Sequence, residues 1–421
     1  MILNYEFENF GPFKDKAFFS LIAPKTKIKS RFPNNYISLP NGYDVLKTAV
    51  LVGENAGGKT NFVRSLHFFK YLFSLNDKVR VISTLINDNN LQTNCRVNDN
   101  TSQRFFIEIT EGAEIFAYEL IIDSFDVVFE SLKTKKKKTA DYKIVFERKR
   151  KDLKVDCNKK NCKNDKCQIN NATYVNEIYV NDEYLFGIPE QVLFNNSSNE
   201  EYGLLVTKLS ILGCNPAKNF IDMINSQLYP ETNFINYDIY KAMSKEVDDI
   251  QILHDPRFIE IFKMVDFSII SVEIDEEEPF KKSTICRKCN DGHIFKREIA
   301  KDSSGVREFF AWAIQIFKVV YMDKVVFADE IDRALNPVLS DRIVAYVNGM
   351  EHKGQFVFTT HNVFHLDLRK YMKEQIYFIT KDIVTLESEI YSLAEFPEVR
   401  YDTAKVYELY LKGILGGTAS E

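Results

Sequence analysis

Two segments of the sequence predict an α/β fold built around a phosphate-binding central sheet. The first is Leu51-Val-Gly-Glu-Asn-Ala-Gly-Gly-Lys-Thr60, which reads G-x-x-x-x-G-K-T from Gly53 to Thr60. The second lies far downstream, where Asp323-Lys-Val-Val-Phe-Ala-Asp-Glu-Ile-Asp332 is an apolar strand ending in an acidic pair. The flanks give the first segment its meaning. Thr48-Ala-Val-Leu-Val52 reads as a buried strand, and Asn61 to Leu72 carries apolar residues at helical spacing. A strand, a glycine-rich loop and a helix start in that order form a P-loop. Its glycines let the backbone through Gly53, Glu54, Asn55, Ala56, Gly57 and Gly58 curl so that successive N–H groups face phosphate oxygens. Lys59 would reach the β- and γ-phosphates, and the Thr60 hydroxyl would ligate Mg²⁺.

The acidic strand completes the chemistry. Asp329 is placed to hold the Mg²⁺ shell and Glu330 to polarise or deprotonate an attacking water. For that, the P-loop and the acidic pair have to lie side by side at strand ends. Lys301-Asp-Ser-Ser-Gly-Val-Arg-Glu-Phe-Phe310 precedes this strand and opens an apolar helix, so Ser303, Ser304 and Gly305 offer hydroxyl and backbone N–H groups to an anion. Gly354-Gln-Phe-Val-Phe-Thr-Thr-His-Asn362 is another strand, tipped by His361.

This order of P-loop, Ser-Gly helix start, acidic strand and His-tipped strand resembles the ABC-type ATPase head of SMC and RecF proteins. The resemblance implies a mixed central sheet with helices, an antiparallel β lobe, and ATP as the nucleotide. The Ser-Gly segment would then be the signature that caps the γ-phosphate of the opposite subunit, and His361 the switch that contacts that phosphate. Against the family's L-S-G-G-Q this chain reads Asp302-Ser303-Ser304-Gly305-Val306, keeping the serine and the second glycine only. Asp332-Arg-Ala-Leu-Asn336 follows Glu330 at the spacing of the D-loop, and Asn336 with Pro337 reads as a helix cap. Gln103 is a candidate for the Q-loop glutamine. The arrangement implies a homodimer, or a higher homo-oligomer, with ATP sandwiched between heads.

A closer likeness is carried by Glu8-Asn-Phe-Gly-Pro-Phe13, Asp329-Glu-Ile-Asp-Arg-Ala-Leu-Asn-Pro337, Phe358-Thr-Thr-His361 and Tyr410-Leu-Lys-Gly-Ile-Leu-Gly-Gly417. Together they resemble the RloA-like ATPases, which include AbiL-type abortive-infection proteins; the ATPases of Septu and PARIS systems and the OLD proteins are more distant. Membership implies an antiphage ATPase that senses infection and controls a toxic partner encoded nearby, an RloB-like or other nuclease-like effector. The alternative is a DNA repair or recombination ATPase of the RecF/SMC type that binds nucleic acid directly. A built-in nuclease of the OLD kind is disfavoured, because the residues after His361 hold no D-x-D and read as two strands and a short helix. Intact Glu330 argues against a scaffold that binds ATP without hydrolysing it.

Composition agrees with this class. The chain has 421 residues, of which 45% are apolar, enough for a sizeable core. Its start reads as a strand rather than a signal peptide, and no apolar run is long enough to span a membrane, so a cytoplasmic protein is expected. Seven cysteines, an odd number, argue against a disulfide framework. Residues 1–130 are expected to hold the first part of the head with the β lobe, and 131–204 a basic cysteine-containing β insertion. Residues 205–265 are expected to be a helical insertion, with a helix opening at Asp255-Pro256, and 266–421 to complete the head. Arg104-Phe-Phe-Ile-Glu-Ile-Thr110 and Ile115 to Ile122 alternate around Glu111-Gly-Ala, a hairpin pattern, and a further turn is expected at Asn290-Asp-Gly292.

Residues 131–170 carry thirteen lysines and two arginines against five acids, in a chain whose net charge is −5. Such a run is a solvated hairpin with Lys135-Lys-Lys-Lys138 at its tip, a nucleic-acid backbone contact, or a surface for an acidic protein. Five cysteines cluster as Cys157-x4-Cys162-x4-Cys167 and Cys286-x2-Cys289. They suit either a structural Zn²⁺ site or ordinary reduced thiols.

Overall fold

The structure, a computed structural model, describes residues 1–73, 102–123, 127–152, 174–184, 203–231, 247–333, 335–402 and 404–416. In chain order its strands are β1 (Ile2–Glu8), β2 (Ala17–Ser20), β3 (Tyr36–Ser38), β4 (Asp44–Leu46), β5 (Thr48–Gly53), β6 (Gln103–Glu111), β7 (Glu114–Ile122), β8 (Val127–Lys135) and β9 (Lys143–Asp152). They continue with β10 (Tyr174–Val180), β11 (Leu228–Glu231), β12 (Ile269–Glu273), β13 (Thr284–Lys288), β14 (Ile294–Glu298), β15 (Val325–Ala328), β16 (Gln355–Thr360), β17 (Ile376–Lys381) and β18 (Ser388–Ser392).

The apolar runs without alternation form the central sheet, in the order β11-β15-β16-β5-β17-β18. Five of these strands are parallel, and β18 closes the edge antiparallel to β17. Every residue of β5, β15 and β16 is buried, as expected of strands covered on both faces. The strand period of two then splits β5 between two cores: Ala49 and Leu51 face one, Val50 and Val52 the other. The first core takes the P-loop helix Lys59–Phe73, which buries Phe62, Val63, Leu66, Phe69 and Phe73. The second takes the long helix Ser304–Met322, whose Val306–Val320 stretch is buried almost all round.

One expectation needs correction. The P-loop strand and the acidic strand are not neighbours, because β16 lies between β15 and β5. After β15 the chain passes through the helix Pro337–Gly349, and the His-tipped strand inserts in the middle. Parallel register still brings the three ends to one edge: Ala328 pairs with Phe358, and Phe358 with Val50. Asp329, His361 and Gly53 therefore leave the sheet together at its carboxyl edge, where ligands bind in such folds.

Above the first core lies a seven-stranded antiparallel sheet in the order β10-β9-β8-β7-β6-β1-β2. The expected hairpin is β6–β7, turning at Gly112 with φ +59°. The boundary expected at residue 130 falls inside β8, and β8–β10 extend this same sheet. At its centre Glu130 is fully buried and accepts the N–H groups of Leu205 (2.7 Å) and Val206 (2.9 Å) and the Tyr118 hydroxyl (3.1 Å). Those N–H groups open the helix Leu205–Ile211, so the carboxylate ties the helical segment to the lobe. Burial raises its pKa; Arg148 and the donated hydrogen bonds oppose that rise.

The helical segment continues with Asn215–Gln227, Val247–His254 and Pro256–Phe262, the last capped by Asp255, which accepts from Arg257 N. It also contains a strand, β11, which joins the central sheet beside β15. β12–β14 form a separate small sheet, turning at Gly292 with φ +89°. No helix among the described residues is long and apolar enough to cross a membrane.

Several cations of the basic run have acidic partners where it is described. Lys135 packs on Tyr142 and faces Glu108, Arg150 pairs with Asp123, and Lys149 with Glu147. Lys151 and Lys143 pair with Glu177 and Glu183. Lys136 and Lys137 are exposed at the β8–β9 turn.

Candidate nucleotide-binding site

The P-loop is shaped by its close neighbours. A Cβ on Gly53 would stand 2.2 Å from the carbonyl oxygen of Ile379, and Gly58, at φ +114°, would meet Ser388 Oγ at 3.0 Å and the Phe13 ring at 3.1 Å. Both positions accept only glycine without displacement of a neighbour. Ser388 Oγ also donates to the carbonyl of Gly57 at 2.7 Å, and the next turn opens with Phe62 N–H to Gly58 O. Ser388 and Phe13 thus clamp the loop from β18 and from the Phe10–Phe13 turn. Glu54 is half-buried and Asn55 and Ala56 are exposed, with Ala56 in the left-handed region at φ +61°.

Lys59 folds back over this loop, donating from Nζ to the carbonyls of Gly53 and Glu54, both at 2.8 Å. Burial lowers its pKa, while Glu330, Asp329, Asp332 and Glu54 pull it back up. One lysine therefore faces four carboxylates. A triphosphate laid on this loop would bring more negative charge to acids already there, and a divalent cation between them is what electrostatics requires. The residues for it are present: Asp329 lies among the hydroxyls of Thr359 and Thr60, which oppose the rise that burial gives its pKa. Two oxygen ligands next to a phosphate cradle fit Mg²⁺, which takes few protein ligands and completes its shell with phosphate and water.

The acidic turn is anchored to β16. Thr359 Oγ1 donates to Asp329 Oδ1 (2.7 Å) and accepts the N–H of Glu330 (2.7 Å), and Asp332 Oδ2 accepts the N–H of His361 (3.2 Å). Glu330 has φ +50°, a left-handed conformation that projects it out of the strand direction. Arg333 stands 4.0 Å from Glu330 Oε2. His361 sits at the rim with its pKa lowered by partial burial and by Lys59, against the pull of Asp332, Glu330 and Asp329. A neutral imidazole here can donate one hydrogen bond to a phosphate oxygen.

Ser303, Ser304 and Gly305, expected as the signature, stand at the N-terminus of the Ser304–Met322 helix. Ser303 is its N-cap and accepts from Val306 N at 3.4 Å, while its own N–H goes to Asp302 Oδ1. Asp302 is held by Arg287 of β13 (2.7 Å). Ser303 and Ser304 are exposed and Gly305 half-buried, so this segment faces outward. Asn336 caps Pro337–Gly349 as expected, accepting from Leu339 N at 2.8 Å.

The candidate Q-loop residue Gln103 is buried at the start of β6 and donates to the carbonyl of Asn9 at 2.8 Å. The zinc expectation gains no support. Cys157, Cys162 and Cys167 lie outside the described residues. Cys286 is buried inside β13 with its thiol 3.7 Å from Glu273, and Cys289 is exposed at the following turn. Among the described residues no group of three or more His, Cys, Asp or Glu could hold a metal ion.

Sequence reasoning missed Thr359, Ser388 and Phe13. The doubled threonine before His361 was a local signal for the first; Ser388 is brought in from a distant strand and had none.

No protein-family model matches the sequence, and no curated protein matches it. Solved structures of similar outline include SMC heads. A head bound to the C-winged helix domain of ScpA is 12% identical, with TM-score 0.38, covering 93% of this chain and 97% of that one. The SMC head domain from Thermotoga maritima is 10% identical, with TM-score 0.39 and coverage of 93% and 98%. An Smc head with an extended coiled coil, bound to the C-terminal domain of ScpA derived from Pyrococcus furiosus, is 14% identical, with TM-score 0.40 and coverage of 94% and 98%. The fold itself, a largely parallel α/β sheet with a P-loop at its carboxyl edge and a separate antiparallel sheet, is read from the strands above. Likeness at this level says nothing of chemistry, which rests on the residues above.

Proposed function

We propose that this protein binds ATP with Mg²⁺ at the P-loop and hydrolyses it between two heads. The observation that carries the reading is the meeting of Lys59, Thr60, Asp329, Glu330 and His361 at one sheet edge, although they come from three separated strands. Lys59 exchanges its two loop carbonyls for phosphate oxygens, and the loop N–H groups and helix N-terminus hold the rest of the chain of phosphates. Mg²⁺, when bound, neutralises charge between the phosphates and the acids. Thr60 and Asp329 hold it, Glu330 takes the proton of the attacking water, and His361 steadies the γ-phosphate. The outward-facing Ser303–Gly305 segment serves a second copy of the chain, so closure of two heads on nucleotide and reopening after hydrolysis form a switch.

The finer reading is that a partner reads this switch in antiphage defence, as RloA-like and AbiL-type ATPases do, with a nuclease-like effector encoded nearby. It is supported by the four motif segments that carry the resemblance. Direct nucleic-acid binding through residues 131–170 is the alternative; among the described residues Lys143, Lys149, Arg150 and Lys151 have acidic partners, while Lys136 and Lys137 are exposed. Glu330→Gln tests the catalytic reading: ATP affinity is retained and turnover falls at least about a hundredfold. Lys59→Ala instead weakens binding itself. Wild-type turnover by Glu330→Gln would remove the acidic strand from the mechanism. Growth arrest that needs both this gene and its neighbour, and is lost with Lys59→Ala, tests the defence reading.

A further inference from the structure

Thr359 lies in the Phe358-Thr-Thr-His361 segment without an assigned role there, yet the contacts that shape the acidic turn converge on it. Its hydroxyl donates to Asp329 Oδ1 and accepts from Glu330 N, each at 2.7 Å, and its carbonyl accepts the N–H of Ile331 at 3.3 Å. The directions are forced. A backbone N–H can only donate, so it uses an oxygen lone pair, and the one hydroxyl proton is left for the carboxylate. The side chain is 1% exposed, so no water replaces either bond if the hydroxyl is lost.

Two consequences follow for the acids. Oδ1 of Asp329 is committed to Thr359, which restrains the rotation of the carboxylate that would hold a metal. Glu330 is held by its N–H in a left-handed conformation that a residue with a side chain does not choose unaided. The neighbouring Thr360 does different work, its Oγ1 accepting the N–H of Asn362.

We propose that Thr359 is a positioning residue for the reaction. Its single hydroxyl sets the metal-facing carboxylate of Asp329 and the backbone of Glu330 together, so that ligand and base are presented as one unit. This rests on the reading of Asp329 and Glu330 given above.

The test compares Thr359→Val, which keeps the shape and removes both bonds, with Thr359→Ser, which keeps both bonds and removes a methyl group. Mn²⁺ binding to the complex with a non-hydrolysable ATP analogue is followed by electron paramagnetic resonance, alongside steady-state ATPase kinetics. For Thr359→Val the Mn²⁺ dissociation constant should rise at least about tenfold, or about 1.4 kcal/mol. Its kcat should fall at least about thirtyfold, while affinity for the analogue without metal stays within about threefold of wild type. Thr359→Ser should stay within about threefold of wild type in every measurement. If Thr359→Val does not fold, judged by its melting temperature, Thr359→Ala replaces it with the same expectations. Wild-type Mn²⁺ affinity and kcat in Thr359→Val, or equal impairment in Thr359→Ser, would overturn the proposal. If the wild-type protein neither binds the analogue nor hydrolyses ATP, the nucleotide reading fails and the proposal with it; an active wild type with an indifferent Thr359→Val removes Thr359 alone.

Discussion

A Ser303→Arg substitution separates the fold from the head–head contact. Ser303 caps its helix through a single bond of 3.4 Å to Val306 N, at the long limit of such contacts. Losing a cap costs about 0.5–2 kcal/mol in general, and a bond this long belongs at the lower end. The helix it caps runs 19 residues and buries its length from Val306 to Val320, so the cap is a small fraction of what holds it. An arginine at an exposed N-terminus adds an unfavourable dipole contribution of about 0.3–1 kcal/mol. The total of roughly 1–2 kcal/mol leaves the chain folded and its own P-loop able to bind nucleotide. If Ser303 serves the γ-phosphate of a second head, the same change abolishes closure. The assay is a cross-link between heads in the Glu330→Gln background, with and without ATP. Wild-type signature should cross-link only with ATP, and Ser303→Arg should not cross-link in either condition. Mixing Ser303→Arg with Lys59→Ala chains leaves one composite site with neither defect, so partial ATPase activity should return. An interface that forms without ATP, or one that Ser303→Arg does not disturb, would refute action across two heads.

Two further outcomes are expected. Gly53→Ala places a methyl group 2.2 Å from the Ile379 carbonyl, where both atoms belong to backbone. β5 and β17 must separate, and thermal denaturation should show a loss of about 3 kcal/mol or more together with weakened nucleotide binding. His365 is buried against Tyr371 and Ser340, and burial draws its pKa down to about 4 from 6.5. Because the unfolded chain takes up the proton more readily, stability is full above pH 6.5 and falls as pH drops toward 4, by up to about 3 kcal/mol. His365→Asn should flatten that part of the melting temperature against pH curve; an unchanged slope would show that His365 does not control it.

Features that depend on a few adjacent residues were legible in the sequence. The P-loop, the acidic pair, the β6–β7 hairpin and the Asp255 and Asn336 caps each follow from local backbone chemistry. Strand order was not legible in this way. A buried strand advertises only that both its faces are covered, so nothing in Val325–Ala328 or Thr48–Gly53 states that β16 separates them. Charge runs are equally mute about their partners. Lys143, Lys149, Arg150 and Lys151 read as a basic patch; Glu147 stands beside Lys149 on the same strand, but Glu177 arrives through the pairing of β10 with β9, and Asp123 and Glu183 from just beyond β7 and β10. Glu130 would pass as a surface residue of an alternating strand; only the arrival of Leu205 and Val206 makes it a buried helix cap.

The placing of β5 also bears on how the protein is made. Its two sheet neighbours are β16 and β17, which emerge from the ribosome about 300 residues after it. At roughly 5–20 residues per second, that leaves an apolar strand with both hydrogen-bonding edges open for tens of seconds. The nascent chain can cover one side early, by folding the P-loop helix against β1, β6 and β7, but it has nothing with which to close the edges. Newly started chains should therefore depend on a holding chaperone until residue 381 has been synthesised. Fragments ending before β16 should collect in inclusion bodies, whatever their own share of charged residues.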